Sequence, residues 1–452
     1  MRAKMSFHMR ETGMRHSRGF TLVELMIALL IGLIGTIGIV SLFSGTSKTN
    51  RFQEALARLQ ENGRYATLRI ESDLRMSAAQ YCSAYKGTLL TGTVTPMATE
   101  RPPAVYAANL FLPDSGNMRS VDAAGYASTS NATSGYGLSQ RFFMQGYTCT
   151  TGTSCTPALP NPAMFPPAGL SAGNRVPNSD ILTTRYQRGT GWPVVGPEAD
   201  CVSGGTIEIS PQPGDDLVNF SPTPLELAYL SDCNSPAIIP ITGRSGNTLT
   251  LGTLLGGPYP PNCGGASGRD KRLFNFSTDF VTITYYLAFR ADDNPDARPN
   301  SGADRLVPVL IRRVNGVEQE LVRGIDRLDF RYGVRDNQGA LRFLNAEQVN
   351  NNLGGTITCT PSPANVPPQT AENAPGVPEP QCLWRSVQRV EAHLLVGPGQ
   401  EVPSMDSISR GYRYLDVEYN PDENTPLPSG ILSMNVPRRE FIAHAANRNR
   451  VL

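Results

Sequence analysis

The sequence has no proline before Pro96, although the chain contains 37 prolines. Because proline breaks helices, a long helix is allowed early in the chain and is nearly excluded later. Charged residues are also scarce, at 17% against a usual share of about 25%, and the formal net charge is +1. This composition argues against a charge-driven nucleic-acid binder and against an acidic disordered chain. At 452 residues, the chain is long enough for two or three modules.

Catalytic and metal-binding motifs are also missing. Beyond residue 19 the only histidines are His393 and His444, and the chain has no Gly-x-Ser-x-Gly or His-Glu-x-x-His motif. His393 is predicted on the polar side of a strand, as an ordinary surface histidine. The stretch 292–303 begins like a calcium loop, but Ala297 and Ala303 replace the glycine and the final glutamate that the loop requires. We therefore expect no enzymatic activity, no cofactor and no metal.

Residues 20–43 form one apolar run whose only charged residue is Glu24. A helix of this length extends about 36 Å, which is enough to cross a bilayer. The preceding residues 1–19 carry five basic side chains and one acidic side chain. Because basic flanking residues stay cytoplasmic, the rest of the chain should be exported. A carboxylate within an apolar segment is costly and usually functional, so Glu24 is a candidate site residue.

The helix is predicted to continue beyond the apolar run to about residue 80. Apolar or small residues recur there at spacings of three and four and form one stripe, while most charged residues lie off it. The stripe consists of Phe52, Leu56, Leu59, Gly63, Ala66, Ile70 and Leu74. We expect this stripe to pack on a globular domain; the alternative is a separate coiled-coil stalk.

The start of the apolar run resembles the class III signal of type IV prepilins. That signal reads Gly-Phe-Thr-Leu-x-Glu before an apolar helix, and here the residues are Gly19-Phe-Thr-Leu-Val-Glu24. The resemblance implies cleavage by a prepilin peptidase between Gly19 and Phe20, followed by N-methylation of the Phe20 amine. It also implies that Glu24 contacts the N-terminal amine of a neighbouring subunit in a filament. The alternative is a plain single-pass anchor with a chance acid near its start.

Further stretches resemble the PilW-type minor pilins of the type IV pilus. These are Leu-Gln-Glu-Asn-Gly-Arg-Tyr-Ala at 59–66 and Asp-Leu-Arg-Met at 73–76, with shorter likenesses at 229–233, 284–287 and 320–333. The implied partners are other minor pilins, the major pilin, prepilin peptidase and the inner-membrane assembly platform. The large inserts of this chain add a tip adhesin as a further candidate partner.

The remainder of the chain is predicted to be β-rich with long loops. Strand signals occur at 181–186, 206–209, 225–230, 248–251, 280–289, 306–314, 328–334, 390–396 and 412–419. Asn315-Gly316 and the stretch 244–247 are hairpin signals. Without βαβ alternation, these strands indicate an α+β fold with an antiparallel sheet. The resemblance implies a type IV pilin-like version, with the long N-terminal helix packed on that sheet and large loop or β inserts near 83–180 and 355–380.

The predicted organisation has four parts. They are a prepilin leader at 1–19, a transmembrane and filament-core helix at 20–43, its amphipathic continuation at 44–82, and an exported β-rich head at 83–452. The expected location is the inner membrane, with the N-terminus cytoplasmic and the head periplasmic, and then the extracellular pilus.

All eight cysteines lie beyond the anchor, on the side predicted to be oxidising. An even count there suggests disulfides, although the sequence does not determine how they pair. The candidates are Cys82, Cys149, Cys155, Cys201, Cys233, Cys263, Cys359 and Cys382. Local pairing suggests Cys149–Cys155 and Cys359–Cys382. Zinc binding is disfavoured because the chain has no Cys-x-x-Cys pair.

The resulting hypothesis is a minor pilin that helps initiate assembly of a type IV pilus. A minor pseudopilin of the J type from type II secretion is the alternative within the same class. From another class, the alternative is a membrane-anchored periplasmic enzyme or sugar-binding protein. A polar pocket in the head that holds clustered carboxylates, or Trp192 with Trp384, would favour it.

Overall fold

A computed structural model describes most of the chain beyond residue 20. The described residues are 21–81, 103–107, 135–138, 140–151, 154–159, 165–196, 199–211, 226–231, 236–256, 261, 263–264, 271–276, 278–292, 306–336, 338–357, 382–397, 411–419 and 437–447. The chain divides into two compact units, Met1–Glu54 and Ala55–Leu452.

Two α-helices and twenty strands make up the described secondary structure. The helices are α1 (Leu22–Met76) and α2 (Ala346–Asn350), and short 3-10 helices lie at Gln140–Phe142 and Cys382–Ser386. The first ten strands are β1 (Ala104–Val105), β2 (Tyr136–Gly137), β3 (Met144–Thr151), β4 (Ser154–Thr156), β5 (Ile181–Gln187), β6 (Trp192–Val195), β7 (Thr206–Ile209), β8 (Glu226–Ser231), β9 (Ala237–Ser245) and β10 (Thr248–Leu251). The others are β11 (Arg272–Asn275), β12 (Phe280–Ala291), β13 (Leu306–Val314), β14 (Val317–Arg323), β15 (Ile325–Arg335), β16 (Leu341–Leu344), β17 (Val387–Val396), β18 (Tyr412–Tyr414), β19 (Val417–Tyr419) and β20 (Arg439–Ala446).

The predicted long N-terminal helix is confirmed as α1. It contains no proline, and it ends where Ala78 adopts the left-handed conformation, with φ of 60°. A residue in this conformation commonly terminates a helix because the chain can no longer continue the i to i−4 bonding. The amides of Ser77 and Ala79 bond to the carbonyls of Leu74 and Met76 and so close the last turn.

The C-terminal part of α1 packs on the head along the predicted stripe. Leu59, Ala66, Ile70 and Leu74 are buried in one hydrophobic cluster with side chains of β12, β15 and β17. Gly63 lies against β20 so closely that a Cβ atom there would be 2.5 Å from the Phe441 ring. This packing excludes a separate coiled-coil stalk for residues 55–76.

Two antiparallel sheets supply most of this cluster. The first has the order β14-β13-β12-β5-β3-β4, and the second has the order β16-β15-β17-β20. The predicted hairpin at Asn315-Gly316 is confirmed: it joins β13 to β14, and both residues have positive φ, at 46° and 86°. This is the conformation that a two-residue type I′ turn requires.

A third sheet closes into a ring that the sequence did not predict. Its order is β10-β7-β6-β11-β8-β9-β1-β2, and β10 also pairs with β9, so six antiparallel strands form a small barrel. A barrel of this size is filled by its own side chains. The residues packed in its cluster include Ile207, Ile209, Ile239, Ile241 and Leu249.

The α+β class is confirmed, but the sheets are more extensive than the single antiparallel sheet that was expected. The segment predicted as a loop or β insert near 83–180 contains strands β1 to β4. The strand predicted at 412–419 is instead the hairpin β18–β19, because Leu415 and Asp416 both have positive φ and reverse the chain. Most of the second predicted insert, from 358 onward, lies outside the described residues.

Two disulfides are described. Cys149 joins Cys155, the local pair suggested by the sequence, and links β3 to β4. Cys201 joins Cys263 over 62 residues, within the cluster that fills the barrel. The suggested Cys359–Cys382 pair cannot be placed because Cys359, like Cys82 and Cys233, lies outside the described residues.

Candidate functional site

The first turn of α1 carries Glu24. Thr21 caps this helix: its Oγ1 accepts a hydrogen bond from the Glu24 amide at 3.2 Å, and its carbonyl accepts one from the Leu25 amide at 3.1 Å. A threonine cap satisfies one of the amides that a helix N-terminus leaves free. The Glu24 carboxylate thus lies at the positive end of the helix dipole, which favours a negative charge. Gly19 and Phe20 lie outside the described residues.

The helix surface around Glu24 is apolar and uncovered. The large apolar side chains from Leu22 to Phe43 are between 55% and 77% exposed. The mean hydropathy of the most apolar window of α1 is 2.6, and by length and composition the helix could cross a membrane. Apolar surface on this scale requires lipid or neighbouring helices to cover it.

The glycines of this segment leave room for close packing. A Cβ atom added at Gly32, Gly35 or Gly38 would meet no heavy atom within 4 Å. Small residues allow helices to approach closely in a membrane. In the described part of the chain Glu24 forms no ion pair, and the nearby groups are apolar. A carboxylate in an apolar setting requires a cationic partner, and the described residues supply none for Glu24.

A buried ion pair fixes the docked part of α1 to the head. Both Asp73 on α1 and Arg312 on β13 are at most 5% exposed. The Arg312 Nε and Nη2 atoms bond the two Asp73 carboxylate oxygens at 2.6 and 3.2 Å, and the Tyr285 hydroxyl donates to Asp73 Oδ2 at 2.5 Å. Burial, followed by the charge of Asp73, raises the pKa of Tyr285, which keeps the phenol protonated as a donor.

This buried ion pair, called the Asp73–Arg312 clamp below, was not predicted from the sequence. The available signal was an acid at position 73, three residues after Ile70 and next to Leu74, on the face predicted to be buried. A charge on a buried face requires a partner. The partner Arg312 is 239 residues away, so no local pattern could have identified it.

His393 is not the surface histidine that was predicted. Its residue is 8% exposed, and its Nδ1 lies 2.7 Å from Glu440 Oε1. Glu391 Oε2 lies 3.6 Å from its Nε2. The prediction failed because the β18–β19 hairpin covers this face of the sheet, with the Leu415 amide also donating to Glu440 at 3.1 Å.

The described residues provide no support for an enzyme or sugar-binding site. Trp384 is fully buried in the cluster beneath α1, whereas Trp192 packs on the barrel cluster, so they do not share a pocket. A cleft of about 270 Å³ lies beside Glu391 and His444, but these two side chains pair with each other at 3.2 Å. Within the described residues no group of three or more His, Cys, Asp or Glu could hold a metal. Asp292 is described, but the other positions of the suspected calcium loop are not.

Comparison with known proteins gives one match. Residues 14–40 match the family model described as "Prokaryotic N-terminal methylation motif". No curated protein and no solved structure matches the chain. The match covers residues 14–40, which include the apolar first part of α1. It supports a type IV pilin-like or pseudopilin-like precursor that is processed by prepilin peptidase and anchored by its N-terminal helix.

Proposed function

We propose that this chain is a PilW-type minor pilin that helps initiate assembly of a type IV pilus. Prepilin peptidase cuts the membrane-inserted precursor between Gly19 and Phe20, and the new Phe20 amine is methylated. The mature chain then joins other minor pilins and the major pilin at the inner-membrane assembly platform. The observation that carries this proposal is the capped, uncovered apolar helix with Glu24 in its first turn, within the matched motif.

Glu24 acts in assembly through its charge. While the subunit is isolated, the positive end of the helix dipole stabilises the negative charge of the Glu24 carboxylate. Packing of apolar helices into a filament removes water from Glu24, and a cation must then approach it. The N-terminal amine of a neighbouring mature subunit supplies that cation only after the leader has been removed. Cleavage therefore precedes incorporation.

The head is the part that the helix carries to the filament. The Asp73–Arg312 clamp and the close contact at Gly63 hold residues 55–76 firmly on the sheets. A helix held in this way keeps its head attached when the apolar part is drawn into a bundle. The large head surface then offers a docking face for a tip adhesin.

A J-type minor pseudopilin of type II secretion is the second candidate, because the motif at 14–40 fits pilin and pseudopilin precursors equally. The genes beside this one distinguish the two, since pilus and secretion clusters differ. Deletion of the gene provides a functional test. Loss of surface pili with normal secretion supports the pilin, and the opposite result supports the pseudopilin.

Incorporation tests the proposed role of Glu24. Filaments sheared from cells should contain the wild-type chain and the Glu61→Ala variant in equal amounts, because Glu61 is an exposed residue on the docked part of α1. We expect Glu24→Ala to remain in the membrane and to be at least about tenfold depleted from filaments, as an unpaired cation costs more than 1.4 kcal/mol. Equal incorporation of both variants would contradict the proposal.

A further inference from the structure

Arg175 is a buried cation that has no carboxylate partner among the residues the structure describes. Its residue is 2% exposed, and no acid among the described residues pairs with its guanidinium. Burial lowers the pKa of Arg175, although an arginine stays protonated in proteins. A buried charge without a partner costs free energy. A negative charge that forms beside Arg175 in another state of the protein would offset this cost.

The guanidinium faces a disulfide. Arg175 Nη1 donates to Cys149 Sγ at 3.6 Å, and Cys149 is bonded to Cys155. Within the described part of the chain, the Arg175 Nε atom has no hydrogen-bond partner. While the disulfide is intact, its sulfur is a weak, neutral acceptor. Reduction would convert Cys149 into a thiolate, which is the negative charge that the site lacks.

The two sulfurs differ in access. Cys149 is 2% exposed, whereas Cys155 is half-buried on β4, the edge strand of its sheet. An external thiol can thus reach Cys155, with Cys149 as the leaving group beside Arg175. A stabilised leaving thiolate accelerates exchange.

We propose that Cys149–Cys155 is a thiol–disulfide exchange site, with Arg175 stabilising the Cys149 thiolate and with a protein dithiol of the oxidoreductase class as the reaction partner. A thiolate of the partner attacks Cys155 Sγ and forms a mixed disulfide. The Cys149–Cys155 bond breaks, and its electron pair leaves with Cys149. The second thiol of the partner then loses its proton and attacks the partner sulfur that is bonded to Cys155. The mixed disulfide breaks, and Cys155 leaves as a thiolate and takes up a proton. The chain is reduced by two electrons, and the dithiol becomes a disulfide.

Asp180 is the acid in contact with this site. Its carboxylate oxygen Oδ1 accepts a hydrogen bond from the Cys149 amide at 3.2 Å. Burial, followed by the charge of Asp329, raises the pKa of Asp180 to about 8. Asp180 is therefore mostly uncharged at neutral pH and opposes a thiolate only weakly.

The Cys201–Cys263 disulfide is the internal control. Both its cysteines are buried, at 6% and 5% exposure, and no hydrogen bond in the described part of the chain joins a cation to either sulfur. A change at Arg175 should leave this pair unaffected.

The redox equilibrium of each pair tests the proposal. Full-length chain in detergent is equilibrated with mixtures of reduced and oxidised dithiothreitol, and differential alkylation with peptide mass spectrometry quantifies each pair. We expect Arg175→Met to lower the equilibrium constant for reduction of Cys149–Cys155 by about tenfold, or about 30 mV, without moving Cys201–Cys263. Arg175→Lys should recover part of the shift. An unchanged midpoint in a folded Arg175→Met variant would overturn the proposal.

A second measurement requires no change at Arg175. The Cys155→Ser variant leaves Cys149 as a thiol, and its ionisation is followed by the ultraviolet absorbance of the thiolate. We expect a midpoint at least about one pH unit below the ordinary value of about 8.5. In the matched Cys149→Ser variant, Cys155 should titrate near that ordinary value. A Cys149 midpoint at or above about 8.5 means that Arg175 does not stabilise the thiolate, which also overturns the proposal.

Discussion

The two parts of α1 differ in what covers them. From Leu22 to Phe43 the apolar side chains are more than half exposed, whereas from Leu59 to Leu74 the apolar stripe is at most 2% exposed. Helix propensity does not separate these parts, because both are helical without a break. The difference lies in the location of the partner: the sheets of the head cover the second part, whereas the large apolar side chains of the first part are exposed among the described residues.

This difference identifies the first part as the surface that binds something else. An uncovered apolar stripe in a stable protein marks a membrane or subunit contact. Changes in the docked part should therefore alter the stability of the head. Changes in the uncovered part should alter membrane insertion or assembly and leave the head stable.

Breaking the buried clamp should have the largest effect on stability. Asp73→Ala leaves the Arg312 guanidinium buried without its carboxylate, and we expect the free energy of unfolding to fall by about 3–5 kcal/mol. Glu71→Ala is the matched control: Glu71 pairs with Arg75, whose side chain is 61% exposed, so its loss should cost at most about 1 kcal/mol. Chemical denaturation of the full chain in detergent measures both. Similar losses for the two variants would show that the clamp does not hold the helix.

Two glycines on the same helix should respond in opposite directions. Gly63→Ala places a methyl group against the Phe441 ring, and we expect a net loss of about 1–2 kcal/mol after the gain in helix propensity. Gly45→Ala meets no atom within 4 Å and should stabilise the helix by up to about 1 kcal/mol. Thermal unfolding followed by circular dichroism distinguishes them. If both substitutions raise the melting temperature, Gly63 does not lie as close to the Phe441 ring as described.

The smallest expected effect is on the pH dependence of stability, which should distinguish two acids whose pKa values are shifted in opposite directions. The pKa of Asp180 is raised to about 8 in the folded head, so its contribution to stability is complete below about 4 and is lost as pH rises toward about 8. We therefore expect the stability of Asp180→Asn to depend less on pH between about 5 and 8 than that of the wild type.

The control for this prediction is Asp336→Asn. A hydrogen bond from Arg342 lowers the pKa of Asp336, so the contribution of this acid is lost only as pH falls below about 4. Its replacement should leave the slope between about pH 5 and 8 unchanged. Denaturation at several pH values measures all three chains. Parallel curves for Asp180→Asn and the wild type would contradict the assignment.

Features with a local signal could be predicted from the sequence. The stripe of α1 has a period near 3.6, and strands β7 and β10 occupy the residues that alternation indicated. Asn315-Gly316 predicted its hairpin because few residue pairs accept positive φ twice. Glu24 and the apolar run around it were also visible in the sequence, and their expected role in assembly came from the resemblance to type IV prepilins.

Features that depend on distant residues could not be predicted. Closure of the barrel requires β10 to pair with both β7 and β9, and alternation within a strand does not specify its neighbours. His393 is buried by a hairpin that lies about twenty residues later in the chain. Arg175 and Cys149 meet only because the segment before β5 returns to β3. In each case the feature depends on contacts between residues that are far apart in the sequence.

Mass spectrometry of the mature N-terminus is the decisive test of prepilin processing. We expect the chain purified from cells with an active prepilin peptidase to begin at Phe20 and to carry one added methyl group on its amine. The same chain from peptidase-deficient cells should retain its leader. If the mature chain begins at another residue, or keeps Gly19 in the presence of the peptidase, it is not processed as a type IV prepilin.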